Sequence, residues 1–189
     1  MTTIIFDWDD TISPSTYLSN KTDLDNVTKY ELQLLEDIVV SLLLIAIRHG
    51  TVYIVTNAST EWVISSGSKY LPRVINLIQE SIPIISARDR YEKSLPPIQW
   101  KPTTFRDIIK QTSPKSIISI GDSQDERLAM IRLKGQTQTK IIKLIDKPTI
   151  NQIRYELRVI IKNFCWLHNQ ISDLDFSLVP SPPEIKYST

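Results

Sequence analysis

The chain has 189 residues, of which 22 are basic and 21 acidic, and its formal net charge is +1. This length suffices for one domain with one buried core, and the balanced charge argues against general polyanion binding, so no nucleic-acid partner is expected. The sequence starts without a basic and apolar leader, and its apolar runs are too short for a bilayer. Neither a signal peptide nor a membrane segment is therefore predicted, and a cytoplasmic location is expected.

Apolar periodicity and the positions of Gly and Pro predict alternating strands and helices. Five short strands rich in β-forming residues are predicted at 4–6, 51–55, 83–86, 116–120 and 140–145. Helices are predicted at 26–49, 59–70, 72–79, 102–111, 124–134 and 148–169. A domain is predicted over 1–170, with loops at 12–20 and 88–99 and a loose, proline-containing tail at 171–189. The alternation predicts an α/β fold with a parallel sheet covered on both faces.

Several common kinds of site are not expected from this composition. Cys165 is the only cysteine, so an intramolecular disulfide is excluded, and its apolar helical surroundings predict a small buried hydrophobe. His49 and His168 are far apart in the sequence and outside any ligand pattern, so a zinc site is not predicted. The four glycines form no phosphate-binding loop, which argues against a dinucleotide site or a P-loop.

Carboxylates follow the first predicted strand directly. Asp7 and Asp9 are two residues apart, so in an extended chain they point to the same face, whereas Trp8 points to the opposite face and is predicted to join the core. Neighbouring carboxylates repel each other unless a cation or a shared proton lies between them. Mg²⁺ prefers carboxylates together with water and substrate phosphate. A metal-assisted site is therefore one interpretation, and a polar turn after a strand is the other.

Polar residues also follow two other predicted strands. Thr56 and Asn57 end the second strand, and Asp122 follows the fourth. In parallel sheets ligands bind beyond the carboxyl ends of the strands, near the point where the strand order reverses. The pattern therefore predicts one site that combines these residues with Asp7 and Asp9.

Taken in chain order, four short motifs resemble those of the haloacid dehalogenase superfamily. The first and fourth are the more specific, and the resemblance covers residues 3 to 146. The matching residues are Phe6-Asp7-Trp8-Asp9-Asp10-Thr11, Thr56, Lys101 and Gly121-Asp122-Ser123-Gln124-Asp125-Glu126. The resemblance implies a Rossmann-like, three-layer α/β/α fold and a phosphatase.

The resemblance also implies residue roles in phosphoester hydrolysis. Asp7 would be the nucleophile that forms an aspartyl phosphate, and Asp9 the general acid and then the general base. The halide-displacing members lack a carboxylate at the position of Asp9, so its presence favours phosphoryl transfer. Thr56 and Asn57 would donate hydrogen bonds to the phosphoryl oxygens, and Lys101 would neutralise their charge. As alternatives, Thr56 merely ends a strand and Lys101 is a surface lysine.

The same resemblance implies Mg²⁺ as the cofactor. Asp7, the backbone carbonyl of Asp9 and Asp122 would bind the ion. Glu126 or Asp125 would hold a metal-bound water, and spacing from Asp122 favours Glu126.

The segments in which this family inserts cap domains are short here, so a fold without a cap is predicted. An open site suits a large substrate whose own surface excludes water. The short motifs are also similar to those of a eukaryote-like subgroup that includes bacterial effectors acting on phosphotyrosine in host proteins. A phosphorylated protein is therefore the expected partner, in the host cytosol if the protein is such an effector.

Two other functions remain open at this point. The protein may be read as a small-metabolite phosphatase whose cap comes from another subunit, or as a non-catalytic module that binds a phosphorylated partner. The loop residues Tyr17, Arg88, Arg90 and Tyr91 either line the open mouth of the site or are ordinary solvated residues.

Overall fold

The computed structural model describes residues 1–19 and 21–179. Within them the strands are β1 (Thr2–Phe6), β2 (Thr51–Thr56), β3 (Ile84–Ser86), β4 (Ser116–Gly121), β5 (Gln138–Lys143) and β6 (Leu174–Ser177). The helices are α1 (Ser15–Ser19), α2 (Asn26–His49), α3 (Thr60–Tyr70), α4 (Pro72–Ser81), α5 (Ala87–Tyr91), α6 (Trp100–Thr112), α7 (Gln124–Ile131) and α8 (Ile150–Asn169). In this part of the chain no helix has both the length and the apolar character needed to cross a membrane.

The six strands form one parallel sheet in the order β3-β2-β1-β4-β5-β6. From β1 the chain moves outward through β2 and β3, and then returns to the other side of β1 with β4. The strand order therefore reverses between β1 and β4, where a crevice opens at the carboxyl ends of parallel strands. The predicted α/β class with a central parallel sheet is confirmed.

Helices cover both faces of the sheet and bury two apolar clusters. On one face Ile4 and Phe6 of β1 pack with apolar residues of α2, α3, α4 and α8. On the other face Ile5 packs with residues of α6 and α7, among them Phe105 and Met130. Alternate residues of one strand thus pack against opposite layers, which is why residues 4–6 of β1 are all apolar. This rigid centre places the residue after β1 at a fixed point.

The predicted loops contain regular structure. Helix α1 and helix α5 lie in stretches predicted to be loops, and a 3₁₀ turn at Pro97–Gln99 follows α5. The side chain of Ser86 accepts a hydrogen bond from the Asp89 backbone N–H and so caps α5, a local signal that outweighs the nearby prolines. Helix α6 starts two residues before its predicted start, so Lys101 already lies within its first turn.

The prediction of a loose tail is wrong for residues 174–177, which form strand β6. This strand pairs in parallel with β5, from Lys140↔Leu174 to Lys143↔Ser177. The turn before it is fixed because the Thr139 N–H donates to Asp173 at 2.8 Å. β6 is mostly exposed, so it lacks the apolar pattern that marks the inner strands. The prediction for residues 180–189 lies outside the described residues.

Cys165 is exposed, which corrects the prediction that it is buried. The preceding residue, Phe164, packs into the core. Successive residues of a helix are rotated by about 100° around its axis, so the side chain of Cys165 lies outside the buried face. The two histidines, although distant in sequence, are neighbours in space, with ring centroids of His49 and His168 5.0 Å apart.

Candidate active site

The residue after β1 continues its ladder by one step. The Asp7 N–H donates to the Ile120 carbonyl of β4 at 3.0 Å, so the Asp7 carboxylate is held at the carboxyl end of the sheet, where it is buried. Trp8 turns to the other face, is fully buried and donates its indole N–H to Ser66 at 3.0 Å. The prediction that Trp8 belongs to the core is confirmed.

The chain then turns sharply at Asp10. Its φ of 53° lies in the left-handed region, which Asp tolerates better than most residues. The Asp10 carboxylate accepts hydrogen bonds from the Thr16 N–H at 2.9 Å and the Thr16 hydroxyl at 2.5 Å. This brace leaves Asp9 half-buried at the pocket, where its Oδ1 accepts a hydrogen bond from Trp62 Nε1 at 2.8 Å.

Lys101 lies inside the site and is not a surface lysine, since only 2% of it is exposed. Its Nζ is 2.8 Å from Oδ1 of Asp7 and donates a hydrogen bond to Oε1 of Glu126. Lys101 therefore partners Oδ1 of Asp7 by its charge, although the contact lacks ideal hydrogen-bond geometry. The other oxygen, Oδ2, accepts no hydrogen bond from the described residues, and Asp7 lines the pocket.

Glu126 anchors the lysine. Ser123 and Glu126 form a capping box at the start of α7, in which Glu126 Oε2 accepts from the Ser123 N–H at 2.9 Å and from its hydroxyl at 2.5 Å. Both Glu126 oxygens are thus engaged, one by Lys101 and the other by Ser123. Gly121 provides the space, because a Cβ there would lie 2.7 Å from Glu126 Cγ.

The carboxylates of this site ionise unequally. Burial raises the pKa of Asp122 to about 7, and Glu126 adds to the rise. Burial likewise holds the pKa of Asp7 well above its usual range despite the opposing charge of Lys101. For Glu126 burial is outweighed by Lys101, and the pKa of Glu126 is lowered. The charged forms of Asp7 and Asp122 are therefore disfavoured in the protein without a further cation, whereas Lys101 stabilises the charged form of Glu126.

This arrangement fits a hard divalent cation. Asp7, Asp122 and Glu126 each offer a carboxylate oxygen within 4.8 Å of the others. Because both oxygens of Glu126 are already engaged and Glu126 does not line the pocket, Asp7 and Asp122 are the direct ligands that fit. Two carboxylates with space for water and a phosphate match the preference of Mg²⁺.

The polar residues after β2 complete the wall of the pocket. Thr56 is buried, and its Oγ1 accepts from the Ala58 N–H at 2.9 Å, which leaves the hydroxyl hydrogen for another acceptor. Asn57 donates to Asp125 Oδ2 at 3.1 Å. The pocket measures about 220 Å³ and is lined by Asp7, Asp9, Asp10, Thr56, Asn57, Ala58, Lys101, Asp122, Ser123 and Asp125. All predicted site residues line it except Glu126, which contacts it through Lys101.

Two supporting residues were not predicted from the sequence. Lys143, the last residue of β5, donates hydrogen bonds to the backbone carbonyl of Asp122, to the Leu144 carbonyl at 2.9 Å and to Asp146 at 2.5 Å. It thereby fixes the loop that carries Asp122. Trp62 is the other, through its hydrogen bond to Asp9. A lysine at the carboxyl end of an inner strand was the signal available for the first of them.

The aromatic residues considered for the mouth of the site lie elsewhere. The Tyr17 ring stacks under Lys21, whose Nζ is 4.7 Å from its centroid. The Tyr91 hydroxyl donates to Asp107, and Arg88 pairs with Glu92 at 3.2 Å. Neither these residues nor Arg90 is among the described residues that line the pocket. Of the two alternatives for these four residues, the structure therefore favours ordinary loop residues over a lining of the pocket.

We expect the buried Glu156 of α8 to make the stability of the protein depend on pH. Its Oε1 accepts from the Ile145 N–H at 2.8 Å, while Oε2 has no partner among the described residues. Burial raises the pKa of Glu156 from 4.5 to about 7. The folded state thus holds a proton that the unfolded state releases, so stability present below pH 4.5 is lost as pH rises to about 7.

We expect Glu156→Gln to remove this loss. An amide needs no proton to remain neutral, so the variant should be more stable than wild type at pH 8 by at most about 3 kcal/mol, with little difference at pH 4. Urea unfolding at both pH values measures this, with the exposed Glu80→Gln of α4 as the control. A variant that loses stability equally at both pH values would contradict the assignment.

No family model, curated protein or solved structure matches this chain. Membership of the haloacid dehalogenase superfamily therefore remains a prediction. Chemically, the site combines a buried carboxylate paired with a buried lysine, a second carboxylate that fits a cation, and a half-buried Asp9.

Proposed function

We propose that the protein is a Mg²⁺-dependent phosphomonoester hydrolase of the haloacid dehalogenase type, without a cap, which works through an aspartyl phosphate. The observation that carries the proposal is Asp7, a buried carboxylate directly after the inner strand β1 that lines the pocket and pairs with the buried Lys101. Both oxygens of Glu126 are engaged by neighbours, whereas Oδ2 of Asp7 accepts no hydrogen bond from the described residues. A pocket-lining carboxylate with one such oxygen suits a nucleophile and a metal ligand.

The reaction proceeds in two displacements. In the first, a carboxylate oxygen of Asp7 bonds to phosphorus, the ester P–O bond breaks, and Asp9 gives its proton to the leaving oxygen. In the second, Asp9 takes a proton from a water whose oxygen bonds to phosphorus. The bond between Asp7 and phosphorus then breaks and inorganic phosphate leaves. Asp9 lines the same pocket as Asp7, as both steps require.

The other residues stabilise the charge of the transferring group. Lys101 lies beside Asp7 and is held there by Glu126, so its charge is in place before the substrate binds. The Thr56 hydroxyl and Asn57 line the same pocket and are the proposed donors to the phosphoryl oxygens. Asp7, Asp122 and the Asp9 carbonyl would hold Mg²⁺, which would supply positive charge to the reaction, while Glu126 and Asp125 would support the groups around it.

Metal dependence tests this proposal. We expect hydrolysis of a generic aryl phosphate to be lost in EDTA and restored by excess Mg²⁺. Asp122→Asn should raise the Mg²⁺ concentration needed for half-maximal rate, by about 10-fold or more, because it removes a ligand charge. Asp37→Asn, an exposed carboxylate on α2, is the control. Equal rates with and without EDTA would rule out the metal role.

For the substrate we propose a phosphorylated protein, with phosphotyrosine preferred. The pocket of about 220 Å³ is small compared with sites that enclose whole ligands, about 300–1,000 Å³. It therefore takes the phosphoryl group and leaves the rest of the substrate outside. Over the described residues, α1, α5 and a 3₁₀ turn are the short elements in the segments where caps would be inserted. A phenolate also leaves more easily than an alkoxide and depends less on Asp9.

Matched phosphopeptides and a panel of small phosphorylated metabolites test the substrate class. We expect kcat/KM to be about tenfold higher for phosphotyrosine than for phosphoserine in the same peptide, a difference of about 1.4 kcal/mol. Faster turnover of sugar phosphates would instead indicate a small-metabolite phosphatase. Tight phosphopeptide binding without turnover would indicate a binding module.

A further inference from the structure

Trp62 contacts the proposed acid directly. It lies in the first turn of α3, its side chain remains 44% exposed, and its Nε1 donates to Oδ1 of Asp9 at 2.8 Å. The contact joins two elements that are far apart in the sequence. Nothing else in the described part of the chain donates a side-chain hydrogen bond to Asp9, so Trp62 sets the orientation of this carboxylate.

In this contact Trp62 can only be the hydrogen-bond donor. An indole N–H donates a hydrogen bond and has no lone pair to accept one. The Asp9 oxygen that faces it must therefore be an acceptor. In a carboxylic acid the carbonyl oxygen is a stronger acceptor than the hydroxyl oxygen, so when Asp9 carries a proton this contact favours the hydrogen on Oδ2.

We propose that Trp62 is a positioning residue that fixes the Asp9 carboxylate, so that Oδ2 carries the proton given to the leaving oxygen. The proposal rests on the phosphatase function proposed above. In the first displacement the Oδ2–H bond breaks as the leaving oxygen gains the proton, and Oδ1 keeps its bond to Trp62 throughout. In the second, Oδ2 regains a proton from the attacking water.

The contact is not needed to hold α3 in place. Val63 of the same helix is fully buried in the core, and Trp8 donates to Ser66 of α3 at 3.0 Å. Trp62→Phe keeps an aromatic ring and removes the N–H, so the helix should remain folded. Trp166→Phe, at an exposed tryptophan of α8, makes the same chemical change away from the site.

The contact can be tested without any activity. The four tryptophans give four indole N–H signals in a ¹H–¹⁵N NMR spectrum, and Trp62→Phe identifies the one that belongs to Trp62. Asp9→Ala should displace the Trp62 signal more than those of Trp100 and Trp166, because it removes the acceptor. A Trp62 signal that does not move would overturn the proposal.

The positioning role is tested by how activity depends on the leaving group. Trp62→Phe should lower kcat/KM for an alkyl phosphate by about 10-fold, the effect of losing one hydrogen bond to a charged group. A nitrophenyl phosphate, which needs little acid assistance, should lose less than about 3-fold. Trp166→Phe should change neither, and in an Asp9→Asn background Trp62→Phe should cause no selective loss. Equal losses for both esters would overturn the role.

The two proposals fail in different ways. If the wild-type protein hydrolyses neither ester with Mg²⁺, the phosphatase function is wrong, and the acid role of Asp9 is overturned with it. If the wild type hydrolyses both esters but Trp62→Phe behaves like Trp166→Phe, the phosphatase stands and the positioning role alone is overturned.

Discussion

Asp7→Asn should abolish hydrolysis while the protein stays folded. An amide oxygen is a poor nucleophile, and loss of a covalent nucleophile typically lowers kcat by about 10⁴-fold or more. The side chain keeps nearly its shape, so the end of β1 need not move. Steady-state kinetics with an aryl phosphate in excess Mg²⁺ measures the loss. Residual activity above about one tenth of wild type would show that Asp7 is not the nucleophile.

The stability of this variant separates a chemical role from a structural one. Burial already raises the pKa of Asp7, so a neutral amide at this position avoids a cost that the carboxylate bears. Lys101 loses one partner and keeps Glu126. We therefore expect the free energy of unfolding to change by less than about 1 kcal/mol. A large loss would mean that the missing activity reflects unfolding. The exposed Glu80→Gln controls for the loss of one charge.

The part of the site that follows from strand ends could be predicted from the sequence. Asp7, Thr56 and Asp122 each come after an apolar run, and parallel strands bring their carboxyl ends to one edge. The buried position of Trp8 followed from alternation alone. These inferences need only the periodicity of a strand and the direction of the chain, which are local properties.

The supporting residues depend on packing that no local pattern encodes. Lys143 reaches the Asp122 loop because Gly121 and Lys143 are register partners in β4 and β5. Trp62 is partly exposed and resembles any aromatic residue on a helix surface. Each of these two contacts joins elements that are distant in the sequence. Periodicity predicts the elements themselves but does not predict which of their side chains touch.

Strand β6 and Cys165 are the two places where the pattern of apolar residues led to a wrong prediction, of a loose tail and of a buried residue. β6 is an edge strand whose stability comes from pairing with β5 and from the Arg127–Asp175 ion pair at 3.0 Å, so its own residues need not be apolar. Cys165 lies among apolar neighbours on α8, yet the buried positions there recur every three or four residues and miss it by one.

Lys101→Met should be the most destabilising of the substitutions considered for this site. Burial opposes the charge on Lys101, but Asp7 and Glu126 outweigh it and raise the pKa of Lys101 above its ordinary value. Without the lysine, two buried carboxylates face each other with no cation. Breaking a buried pair by removing one partner typically costs about 3–5 kcal/mol. We expect a loss of this size in metal-free buffer at pH 8, with activity also lost because the charge beside Asp7 is gone.

The pH dependence and a double variant identify the cause of this loss. In Lys101→Met the carboxylates should take up protons as pH falls, so the loss should shrink between pH 8 and pH 5. Adding Glu126→Gln removes one of the two facing charges while an amide oxygen remains for Ser123, and should recover most of the stability. Lys110→Met, at an exposed position of the same helix, should cost almost nothing. A loss that persists at pH 5 and in the double variant would mean that the lysine stem contributes through packing, and that its charge does not hold Asp7 and Glu126 together.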